Sequence, residues 1–80
     1  MANKSRATRF DEAKGKLWEV KMEAEDLRDE LQSLLGNLPE NLQGGSKASK
    51  LESAIEALGE FIDACENAEG VNVDFPGRYA

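Results

Sequence analysis

Histidine is absent from this 80-residue chain, and cysteine occurs once. The first absence removes the commonest transition-metal ligand and the side chain best suited to proton transfer near neutral pH. The second excludes a disulfide within the chain, since Cys65 has no partner. There is no apolar leader at the N-terminus, and no stretch approaches the roughly 20 apolar residues of a membrane span. A cytoplasmic protein without membrane association is therefore the expectation, and a single cysteine agrees with a reducing compartment. A phosphate-cradling loop is also missing: Gly44-Gly45 is followed by Ser46-Lys47, without the glycine-lysine-hydroxyl order such loops need. A core of this size supplies only about 3 to 5 kcal/mol unaided. With a disulfide excluded and a metal disfavoured, since Glu56, Glu60 and Asp63 could hold a hard cation but match no calcium-loop pattern, self-association is the expected support.

What is present is an apolar repeat. Phe10, Ala13, Leu17, Val20, Ala24, Leu27, Leu31, Leu34 and Leu38 follow one another in alternating steps of three and four, a heptad seam whose a and d positions are all apolar. The seam predicts one long helix over 8–36, with Thr8 as N-cap and Gly36, Asn37 and Pro39 as the stop. Gly15 interrupts it as a weak point or a place where another backbone comes close. Beside the seam, the e positions Lys14, Lys21 and Arg28 are basic, while the g positions Glu23 and Glu30 are acidic and Lys16 is the exception. Trp18 and Met22 lie off the seam and need a cover: the C-terminal tail, a second subunit or a ligand.

Residues 37–45 read as a turn, and a second helix is predicted over 46–68, starting at Ser46 or at a Ser49/Glu52 capping box. Its seam is Ala48, Leu51, Ile55, Leu58, Ile62 and Cys65. A further row of Ala54, Phe61 and Ala68 widens the apolar stripe beyond what a two-helix hairpin requires. That width predicts contact with a third helix from another copy. After Gly70, Val71, Val73 and Phe75 alternate with polar residues, so 69–80 reads as an extended tail that folds back over Phe10, Leu17 and Trp18 or inserts into a partner. Residues 1–7 read as a mobile basic arm. The predicted fold is thus all-α: an antiparallel, coiled-coil-like hairpin with an extended tail, associating into a multi-helix bundle. The expected interface comprises Leu17, Leu27, Leu31 and Leu34 with Leu51, Ile55, Leu58, Phe61 and Ile62.

Candidate chemistry is sparse. The acidic residues fall on helix faces where burial is not expected to displace a pKa, and Cys65 sits in the seam as a small core residue. No catalytic residue, metal site or cofactor is predicted. The formal net charge of −6 conceals a division of the chain. Residues 1–21 carry six basic and three acidic residues, a net of +3; residues 22–80 carry four basic and thirteen acidic, a net of −9. The overall charge disfavours duplex nucleic acid. A small nucleotide held between subunits by Arg6, Arg9, Trp18, Arg78 and Tyr79 is the candidate ligand site, because guanidinium and aromatic groups suit phosphate and base.

Two stretches carry a likeness: Leu38-Pro39-Glu40-Asn41-Leu42-Gln43 with the Gly-Ser-Lys after it, and Val73-Asp74-Phe75-Pro76-Gly77. With the heptad helix before them and the glutamate-rich helix between, the chain resembles small phage-encoded helical-hairpin proteins of unassigned function. The resemblance implies an accessory protein that binds and disables a host component. The expected function is accordingly a non-catalytic, homo-oligomeric binding protein acting on a host protein through its acidic surface. A sponge for a nucleotide signal and a structural assembly protein are the alternatives.

Overall fold

The computed structural model describes residues 4–76. Among the described residues there are two α-helices, α1 over Arg6–Gly36 and α2 over Ser46–Glu69, joined through a short 3-10 turn at Glu40–Leu42. They pack antiparallel, and no strand occurs among the described residues.

α1 starts two residues earlier than the sequence suggested, and its cap explains why. The Thr8 amide donates to Ser5 Oγ at 3.1 Å, and the Arg9 amide to the Ser5 carbonyl at 3.0 Å, so Ser5 rather than Thr8 satisfies the free amides of the first turn. Arg6 and Ala7, expected in a mobile arm, are thereby helical. At the other end the Asn37 amide donates to the Ser33 carbonyl, and Pro39 ends helical propagation. The Leu42 amide donates to the Pro39 carbonyl at 2.8 Å and Gln43 Nε2 to the Leu38 carbonyl at 2.9 Å, which closes the turn with polar groups paired. α2 begins at Ser46 with Gly45 as cap, and the Ser49 amide is already bonded to the Gly45 carbonyl. The Ser49/Glu52 pair therefore lies inside the helix.

The two helices form a single layer, 67 × 23 × 13 Å overall. The smallest dimension is about one helix diameter. Among the described residues only Ala24, Ala48, Ile62 and Cys65 are buried, at 1–4% exposure. The register is given by Lys21 against Glu69, the last residue of α2. α1 residues 6–20 consequently run on beyond the end of α2. Past Gly70 the chain leaves helical geometry, and Phe75 meets Phe10 edge-to-face with ring centroids 5.8 Å apart.

α2 turns inward the residues its repeat indicated, with Ala48, Ile62 and Cys65 buried and Leu51, Ile55 and Leu58 partly so. α1 is rotated relative to its own seam. Its inward rows are a and e: Phe10, Leu17, Ala24, Leu31 and Leu38 with Lys14, Lys21, Arg28 and Leu35. The d row of Ala13, Val20, Leu27 and Leu34 is exposed. Charge and stem length account for the turn. With only one helix opposite, α1 can sheathe a single stripe. Placing the e row there lets long basic side chains lay their methylenes across the seam, and the head of Lys21 reaches Glu69 of α2.

Candidate functional site

Rotation of α1 gives the layer two unlike faces. On one, the exposed d row of α1 lies beside the exposed row of α2 that contains Phe61. Val20, Leu27, Leu34 and Phe61 are 46%, 45%, 55% and 47% exposed. Between them runs an open groove of about 350 Å³, lined by Val20, Glu23, Ala24, Leu27, Leu58 and Phe61. Its walls are apolar except for Glu23 at the rim. Scattered surface leucines are ordinary; a row at heptad spacing joined to a half-exposed phenylalanine is a patch of the kind that marks an interaction surface.

The opposite face is built on charge. Lys21 Nζ donates to Glu69 Oε2 at 3.3 Å and lies 3.0 Å from Oε1, with both side chains largely covered. The hydrogen bond to Glu69 raises the Lys21 pKa above its ordinary value of 10.5; desolvation works against the rise, and the charges of Glu69, Glu66 and Glu25 add to it. A raised lysine stabilises the fold at every pH below its unfolded value and ceases to do so as pH climbs through the folded one, so this contribution persists through the neutral range. Lys14 Nζ stands 5.0 Å from the Phe10 ring centroid, a cation–π contact on the overhanging part of α1. Arg28 Nε is buried without a hydrogen-bond acceptor. Trp18, 52% exposed, and Met22 lie on this side as well.

The structure divides the predicted interface set. Ile62 is buried within the hairpin, and Leu17, Leu31, Leu51, Ile55 and Leu58 are partly covered by the intrachain contact, whereas Leu27, Leu34 and Phe61 point out. Sequence reasoning treated a and d as equivalent and missed that Lys14, Lys21, Arg28 and Leu35 would take the inward place of the d row. The one pairing of charge between these e positions and α2 among the described residues is Lys21 with Glu69 and Glu66 at the facing end of α2.

Of the predicted ligand residues, Arg9 and Trp18 are not brought together within one chain. Arg9 and Trp18 are nine residues apart, about two and a half helical turns, and so leave α1 on opposite sides. Arg6 and Arg9 are exposed on the first turns of α1. Arg78 and Tyr79 lie outside the described residues. Among the described residues no group of three or more potential metal ligands is clustered, and Cys65 is a buried free thiol. No helix among them is long and apolar enough to cross a membrane.

No protein-family model, curated protein or solved structure matches this chain. The functional reading therefore rests on the two faces of the layer.

Proposed function

We propose that this chain is a non-catalytic binding protein that works as a homo-oligomer. The apolar face joins copies to one another, and the outward acidic residues, among them Glu19, Asp26, Glu56, Glu60 and Asp63, remain available to a protein partner with a basic surface. One observation carries the reading: Val20, Leu27 and Leu34, members of a heptad seam, stand exposed beside Phe61 on one side of a layer with almost no buried interior. Exposed a or d rows are the half of a seam that wants another helix. Inhibition of a host protein, which the resemblance to phage hairpin proteins implies, would be exercised through the acidic side and needs no catalytic group.

Sedimentation equilibrium at micromolar concentration tests the proposal. The expected mass is at least twice the 8.8 kDa of one chain. The double variant Leu27→Asp/Phe61→Asp is expected to sediment at the single-chain mass with its helical circular dichroism retained. A wild-type protein that is monomeric throughout this range would overturn the reading.

A further inference from the structure

α1 carries a charge pattern along the edge of its apolar row. The g positions, read from the N-terminus, are Arg9, Lys16, Glu23 and Glu30: two cations, then two anions. All four are exposed, and Glu23 forms part of the groove rim. A parallel pairing of two α1 helices in register would set each of these residues against its own copy. An antiparallel pairing centred near Val20 sets Arg9 against the partner's Glu30 and Lys16 against the partner's Glu23, and two-fold symmetry repeats both pairs. Sliding the helices by one heptad in either direction brings Lys16 or Glu23 onto its own copy. The pattern thus selects one orientation and one register.

The apolar row agrees with that register. Val20 falls on the two-fold axis, and Ala13 falls opposite Leu27. Ala13 belongs to the segment of α1, residues 6–20, that overhangs the end of α2. We propose that two copies associate by laying this overhang, one from each, into the groove of the other between Leu27, Leu58 and Phe61. Each end of the dimer is then three helices deep, and the small Ala13 side chain admits the partner beside the bulky Phe61. The wider charge division supports the same placement, because the basic head of one chain comes to rest on the acidic body of the other.

Exposed area supports a second copy as occupant. The chain exposes 6434 Å², whereas a compact chain of its mass exposes about 4,800 Å². The surplus of about 1,600 Å² comfortably exceeds the roughly 800 Å² per partner of a standard stable interface.

This inference rests on the self-association proposed above, and its test separates the two. Arg9→Glu/Lys16→Glu turns every interchain pair repulsive and is expected to raise the dissociation constant by about tenfold or more at low salt, with the effect shrinking as salt is added. Adding Glu23→Lys/Glu30→Lys to the same chain reverses the other half and restores wild-type affinity. Lys47→Glu/Lys50→Glu, which changes net charge equally but lies on α2 away from the pairing, leaves it within about threefold. Spin labels at Ser33→Cys, in a Cys65→Ala background, are expected about 40 Å apart from the axial offset of the two helices. A monomeric wild type removes self-association and this arrangement together. An oligomeric wild type in which the Arg9/Lys16 variant binds normally, in which the four-fold variant is not restored, or in which the labels lie within about 20 Å as a parallel pair requires, overturns the antiparallel overlap and leaves self-association standing.

Discussion

Ile62 and Leu34 are both apolar members of a helix seam, yet one is 3% exposed and the other 55%. Their substitution should separate folding from association. Ile62→Val removes one methylene from the intrachain contact and is expected to lower stability by about 1 kcal/mol in urea unfolding. Leu34→Ala, measured at concentrations too dilute for association, is expected to stay within about 0.5 kcal/mol of wild type, since alanine is as good a helix former and little burial is lost. A loss at Leu34 comparable to that at Ile62 would mean that the d row is covered within the single chain. The sequence identified both residues as apolar seam positions, but could not say which would be covered, because a heptad records that a residue faces a helix without recording whose.

At the scale of the element, α1 is a helix of 31 residues whose ends and continuity were legible from caps and spacing. The start moved from Thr8 to Ser5 because both are capping residues three apart and only local geometry decides between them. Gly15 is the remaining irregularity. A methyl group built at Gly15 meets nothing within 4 Å among the described residues, so no neighbouring backbone among them explains the residue. Gly15→Ala is therefore expected to stabilise the protein by about 0.5 to 1 kcal/mol through reduced freedom of the unfolded chain, seen as a rise in melting temperature of several degrees for a domain this small. A drop instead would place another chain's backbone against this position. The rotation of α1 is the larger lesson at this scale. It follows from pairing between elements, Lys21 with Glu69 above all, and the repeat within α1 carries no information about that pairing.

The whole molecule is a rod one helix thick with a radius of gyration of 19.3 Å, against about 12 Å for a compact chain of its length. Long, thin layers expose most of what they could bury, so their stability draws on association. The melting temperature is accordingly expected to rise with protein concentration over about a hundredfold range, because a ligand that binds only the folded state stabilises it by mass action and here the ligand is the second copy. Calorimetry of the wild type beside Leu27→Asp/Phe61→Asp checks this, and a melting temperature independent of concentration in the wild type would count against the dimer.

Periodicity, caps and turn residues were enough to determine two helices, their approximate limits and the inward face of α2, because each of these depends on neighbours within a few positions along the chain. Which half of the α1 seam turns inward was decided only by the tertiary structure. So was the gathering of Val20, Leu27 and Phe61 along one groove. Those outcomes depend on where α2 places its acidic end and on the register set by Lys21 and Glu69, interactions between residues far apart in sequence. The contact that turns the e row inward is the same one that leaves the d row facing out.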